Sequence, residues 1–95
     1  MFIVNLKYIV SLDEVLVIRP KHILFLEEFY GKQKFLFSGR KYSQDGGIIV
    51  VNLKNESDVH NIMQNDPFVI NGIAEYELIG FNPVAKSNLI TFDLF

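Results

Sequence analysis

Apolar and polar positions alternate with a period of two from Phe2 to Tyr8: Phe2, Val4, Leu6 and Tyr8 share one face, and Ile3, Asn5 and Lys7 the other. This is the pattern of a half-buried strand. Ser11-Leu-Asp-Glu14 has capping-box spacing and predicts a helix start, although the β-branched residues between Val15 and Ile18 weaken it. Pro20 fits best at the first position of a restarted helix, because a proline inside a helix removes a hydrogen bond and crowds the preceding turn. From Lys21 to Lys32, Ile23, Leu26 and Tyr30 fall on one stripe with Phe25 and Phe29 beside it. Glu27 and Glu28 then face water, and Gly31 suits the stop.

Lys34 to Ser38 predicts a second strand, and the polar segment from Gly39 ends in Gly46-Gly47, which suits a hairpin turn. The third strand, Ile48 to Leu53, opens on four consecutive apolar residues and so reads as central and buried on both faces. Asn55 and Asp58 open a short second helix with Val59, Ile62 and Met63 at i, i+3, i+4 spacing. Asp66-Pro67 predicts an N-cap and first helical residue for a brief turn through Val69, closed by Asn71-Gly72. Ile73 to Phe81 alternates as a fourth strand, Asn82-Pro83 closes the core, and Leu89 to Phe95 reads as a terminal strand or arm.

The order β-α-β-β-α-β predicts an α+β, ferredoxin-like split βαβ fold, with one antiparallel sheet carrying its helices on one face. In the sheet order 4-1-3-2, strands one and four are neighbours. Their helix-free face then carries Asn5 and Lys7 opposite Glu75 and Glu77, among Ile3, Ile73, Ile79 and Phe81. At about 25 cal/mol per Å² of apolar surface, such a face favours a partner. We therefore expect a homodimer, sheet against sheet, with polar groups lining an internal cleft.

Composition narrows the function. The 95 residues make 11.0 kDa, which suits one domain. An apolar fraction of 49% with 21% charged residues excludes disorder as the main state. Nine Lys and Arg against 11 Asp and Glu leave a net charge of −2, without the positive excess that a nucleic-acid partner requires. No cysteine is present, so disulfides, thiolate nucleophiles and Cys-based zinc sites are excluded; a cytoplasmic setting is the expectation. No apolar run approaches the roughly 18 residues of a membrane span, and the N-terminus lacks the pattern of a signal peptide.

Two polar motifs carry candidate chemistry. In Arg19-Pro20-Lys21-His22 the histidine falls in the first turn of the restarted helix, where the dipole favours a neutral imidazole able to act as a base. A residue there contributes little packing, so its truncation is expected to alter melting little. His60, on the polar side of the second helix, reads as solvated. Asp66 is explained as a helix cap; its functional reading requires it to meet His22, fix the ring tautomer and stabilise the imidazolium. Ser38-Gly39-Arg40 leaves the second strand near the same end, placing a hydroxyl and a guanidinium for an anionic substrate. Spacing alone reads that segment as a hairpin exit with a solvated arginine.

The opening MFIVNLKY, Pro20 and His22 ahead of a helix ending FYGK, KFLFSGR, Gly46-Gly47 before a β-run, and NDPFVINGIAEYELIGFNP together resemble the YciI-like (YCII-related) family over residues 1–84. The resemblance implies a single domain over 1–95, its core about 1–84 and an arm at 85–95. It also implies assembly as a dimeric α/β barrel and a catalytic His22–Asp66 pair. Substrate binding then falls to Arg19, Ser38, Gly39 and Arg40, without metal or cofactor. The expected function is a small-molecule enzyme of lyase, isomerase or hydrolase type, working in a dimer-interface cleft as a homodimer or higher oligomer. A non-catalytic metabolite-binding or self-assembling module is the alternative. RNA binding by fold analogy is disfavoured, because GGIIVVNL lacks the basic and aromatic pattern of RNA-binding sheets.

Overall fold

The structure, a computed structural model, describes residues 1–92. The chain runs β1 (Phe2–Tyr8), α1 (Leu12–Gly31), β2 (Phe35–Arg40), β3 (Gly46–Val51), α2 (Glu56–Met63), α3 (Pro67–Ile70) and β4 (Ala74–Gly80). The four strands form one antiparallel sheet in the order β2-β3-β1-β4, as expected of the ferredoxin-like arrangement. Alternation in β1 sends Phe2, Val4 and Leu6 into the core. Ile49 and Val51 of β3 join them, and α1, α2 and α3 cover that face with Val15, Phe25, Phe29, Val59, Met63 and Phe68.

α1 differs from the expectation. It is one uninterrupted helix of 20 residues, with Pro20 inside it. Ser11 N–H donates to the Glu14 carboxylate at 3.3 Å, half of the capping box that starts it. Pro20 lacks an N–H for the Leu16 carbonyl, but Leu16 is 47% exposed, so water can take that bond. The buried stripe is Val15, His22, Phe25 and Phe29; Ile23, expected within it, is exposed. The stop is made by Gln33 rather than Gly31: Gln33 takes φ 59°, its N–H donates to Tyr30 C=O, and Lys34 N–H reaches back to Phe29 C=O. These are the two bonds of a Schellman ending.

Gly46-Gly47 is not the hairpin turn. The turn lies at residues 41–45, and the glycines begin β3 beside β1. A Cβ on Gly46 would sit 1.8 Å from the Leu6 carbonyl oxygen, so close backbone approach requires glycine there. β2 carries an irregularity between Phe35 and Phe37, pairing them with Val51 and Val50 in turn. It turns Phe35 into the core and leaves Phe37 62% exposed on the opposite face.

That helix-free face holds one apolar row across all four strands, Phe37, Val50, Ile3 and Ile79. Next to it, Asn5 donates from Nδ2 to Glu77 at 2.9 Å, and Lys7 stands opposite Glu75. Ile73, expected on this face, is buried in the core instead, because its N–H bonds Phe68 C=O in the turn that precedes β4. Leu89 to Phe92 form no strand, and the rest of the expected terminal arm lies outside the described residues. No helix among the described residues is long and apolar enough to cross a membrane.

Candidate active site

Because Pro20 does not restart α1, His22 lies at the middle of the helix rather than in its first turn, and the argument from the helix dipole falls away. Its place on the buried stripe fixes the ring instead. The imidazole is stacked on Phe68, with ring centroids 4.0 Å apart and planes 12° apart, and Phe25 lies on its flank. His22 is 9% exposed, a buried packed residue in place of the lightly packed one expected.

Asp66 ends the link after α2 and caps α3. Its Oδ1 accepts the Phe68 N–H at 2.9 Å, as an N-cap should, and the same oxygen lies 2.8 Å from His22 Nδ1. Asp66 is fully buried, and Oδ2 has no hydrogen-bond partner among the described residues. A buried carboxylate is an acceptor only, so Nδ1 carries the proton and donates. Nε2 is then the nitrogen free to act.

His22 forms part of the wall of a cavity of about 170 Å³ between α1 and the helix-facing side of β2 and β3. Arg19 and Ile23 belong to the helix wall; Ser38, Gly39 and Arg40 belong to the sheet wall. All six expected residues therefore converge: five line the cavity, and Asp66 stands behind His22. Arg19 and Arg40 are exposed at the rim and form no ion pair among the described residues. Gly47, paired with both Arg40 and Leu6, leaves the floor without a side chain. The lining contributed by this chain lies on the helix side of the sheet. The hollow on the helix-free face, edged by Asn5, Lys7, Lys41, Glu75 and Glu77, is a separate feature.

Several contributors carried no legible signal in the sequence. Tyr8 read there as one position on the apolar face of a strand and Phe68 only as part of the turn that Asp66-Pro67 opens, while their rings are in edge-to-face contact at 5.7 Å. Tyr30, which hydrogen-bonds Ser38 Oγ, read as one more apolar position on a helical stripe. His60 is not simply solvated: its Nδ1 lies 2.7 Å from the Tyr76 hydroxyl. Burial raises the Tyr76 phenol above its ordinary value of 10.0. No three His, Cys, Asp or Glu side chains cluster as a metal-binding set among the described residues.

Among solved structures, 5-chloro-2-hydroxyhydroquinone dehydrochlorinase from Burkholderia phenoliruptrix, in complex with 2,5-dihydroxybenzoquinone, matches with a TM-score of 0.70 at 21% identity. The match covers 85% of this chain and 92% of that one, and at this identity it establishes a shared fold. No curated protein matches the chain. A family model, the YCII-related domain, matches residues 1–82, and with β1 through β4 all inside that span, the chain belongs to the YCII-related domain family.

Proposed function

We propose that the protein is a small-molecule enzyme of the lyase, isomerase or hydrolase kind, with His22 as general acid and base and Asp66 as the group that orients it. The observation that carries this reading is the 2.8 Å contact between His22 Nδ1 and a fully buried carboxylate, at the wall of a cavity rimmed by two guanidiniums that form no ion pair among the described residues. Asp66 holds the proton on Nδ1, so Nε2 presents a lone pair to the cavity. In an elimination, Nε2 takes a proton from one substrate atom, the electron pair left behind forms the new double bond, and the leaving group departs from the neighbouring atom. The imidazolium so formed stays paired with Asp66 and returns its proton to the leaving group or to solvent. Arg19 and Arg40 hold an anionic substituent, and Ser38 supplies a hydrogen bond. None of these steps calls for a metal or an organic cofactor.

The dehydrochlorinase neighbour supports this class of reaction, and its quinone ligand supports a cyclic oxygenated substrate. Size agrees: an apolar cavity of about 150 Å³ holds benzene, and the cavity here measures about 170 Å³. We further propose that the apolar row Phe37, Val50, Ile3 and Ile79 joins two chains sheet to sheet, as a homodimer of the barrel type.

A non-catalytic binding module is the competing reading, favoured by one fact: Asp66 Oδ1 also caps α3 and so has a structural role. A thermal-shift screen with small aromatic acids, lactones and hydroxyquinones, followed by NMR of each stabilising compound with the protein, separates the two. Conversion by the native protein that falls at least about 100-fold in His22→Gln supports catalysis. Stabilisation with no conversion of any hit supports the binding module.

A further inference from the structure

We propose that Tyr30 is a positioning residue for this site: its phenol donates to Ser38 Oγ and so directs the Ser38 hydroxyl proton at an oxygen of a small oxyanionic substrate, a carboxylate, enolate or phenolate. The inference rests on the cavity being the substrate site. Tyr30 is half-buried at the C-terminal end of α1, outside the cavity wall, and Phe35 meets its ring edge-on at 6.4 Å. Ser38 stands on β2 in register with core-facing Ile49 and forms part of the sheet wall. The two hydroxyls are in hydrogen-bond contact, and Ser38 Oγ makes no other hydrogen bond among the described residues.

Each hydroxyl can donate once, so the pair has two polarities. A phenol is the stronger acid of the two and the better donor. With Tyr30 donating, Ser38 accepts on one lone pair and keeps its own proton, which has no acceptor among the described residues and lies at the cavity wall. The cavity then offers a proton acceptor on the helix wall, His22 Nε2, and a proton donor on the sheet wall, Ser38 Oγ. Arg19 and Arg40 supply positive charge between them and solvent. That disposition suits a substrate that loses a proton to one wall while negative charge grows on an oxygen facing the other. Without Tyr30, the serine rotor is free to turn and its proton is directed at the cavity only part of the time.

The test uses the full chain and 4-nitrophenolate as probe, with binding followed by its visible absorption, in native protein, Tyr30→Phe, Ser38→Ala and the double variant. A second readout is the Ser38 side-chain rotamer from NMR couplings without any ligand. Tyr30→Phe is expected to weaken the probe by about three- to tenfold in the native background and to have no further effect once Ser38 is alanine. Ser38 should pass from one rotamer to averaged rotamers in Tyr30→Phe. Equal losses from Tyr30→Phe in both backgrounds, or an unchanged Ser38 rotamer, overturn the proposal and leave Tyr30 a packing residue. In that case, probe binding that still falls in Arg40→Ala preserves the reading of the cavity as an anion site. A native protein that binds no probe at millimolar concentration overturns both.

Discussion

Replacing Asp66 separates its two roles. Asp66→Ala removes the cap on the Phe68 N–H, at about 1 kcal/mol. It also leaves the His22 Nδ1–H buried without an acceptor, at about 1–3 kcal/mol. The sum, about 2–4 kcal/mol, corresponds to a fall in melting temperature of roughly 10–25 °C for a domain of this size. Asp66→Asn keeps Oδ1 as acceptor for both donors, at 2.8 and 2.9 Å in the native structure, and exchanges the unpartnered Oδ2 for an amide nitrogen. Each arrangement leaves one buried polar atom unpaired, so the loss reduces to the charge assistance of the hydrogen bonds, about 1 kcal/mol. Urea unfolding followed by far-ultraviolet circular dichroism at one fixed protein concentration measures both, and fixing the concentration removes any contribution from assembly. A long-range proton–nitrogen spectrum then reads the ring: Nδ1 protonated and Nε2 bare in native protein and Asp66→Asn, with the tautomer redistributed in Asp66→Ala. The reasoning fails if alanine costs less than about 1 kcal/mol, or if asparagine costs as much as alanine.

His22→Ala should now destabilise by at least about 2 kcal/mol, because it removes a stacked ring and strands a buried carboxylate; Ile49→Ala should cost about 2–5 kcal/mol, and comparing the two in the same urea assay ranks them. Gly46→Ala should cost more than about 3 kcal/mol or abolish folding, since its Cβ would meet the Leu6 carbonyl at 1.8 Å, whereas Gly31→Ala, with nothing within 4 Å, should gain up to about 1 kcal/mol. Tyr76 has a native value raised by burial, so its contribution to stability is complete below pH 10.0 and is lost as pH rises from there through the native value. Tyr76→Phe should flatten that alkaline fall in melting temperature. On the proposed sheet-to-sheet dimer, Ile79→Lys and Phe37→Lys should each give a monomer in light scattering without unfolding the chain, and a mass unchanged from the native protein's would refute an interface on the apolar row.

The sheet was legible because the first and last strands announce themselves by a period of two and the third by an apolar run, and the connection lengths admit few topologies. That Asn5 and Lys7 share a face with Glu75 and Glu77 followed from the sheet order; the pairing of Asn5 with Glu77 and of Lys7 with Glu75 is set by the register. Errors arose where a residue's local preference and its tertiary use part company. Pro20 suits a helix restart better than a kink by local preference, yet Leu16, whose carbonyl it leaves without a donor, is 47% exposed and the helix passes through it. Gly46 reads as a turn because turns use glycine, while its reason is a neighbouring strand's carbonyl, brought there by chain some forty residues away. Gln33, with no glycine to announce it, takes the left-handed position. By spacing alone Asp66 is a helix cap and Ser38-Gly39-Arg40 a hairpin exit, and His22 and Asp66 come forward as a pair only through the family resemblance. What spacing could not supply was the side of the sheet on which they meet, because the bulge between Phe35 and Phe37 resets which of Phe37 and Ser38 faces the helices.

The placement of Asp66 argues for function over stability. A helix cap works at the protein surface, where serine, threonine or asparagine satisfies the same N–H and water covers whatever remains. Here the cap is a carboxylate with no exposure, one oxygen shared between two donors and the other with no partner among the described residues. Taking a carboxylate out of water carries a desolvation cost that a neutral cap does not, offset here only by its charge-assisted hydrogen bonds. The arrangement gains something only if the carboxylate's charge is needed where it sits, and what it touches is an imidazole at the wall of a cavity with two arginines that form no ion pair among the described residues. A four-residue helix is a minor structural element to cap at that cost; a ring held in one tautomer, as the proposed proton transfer requires, is a sufficient reason for it.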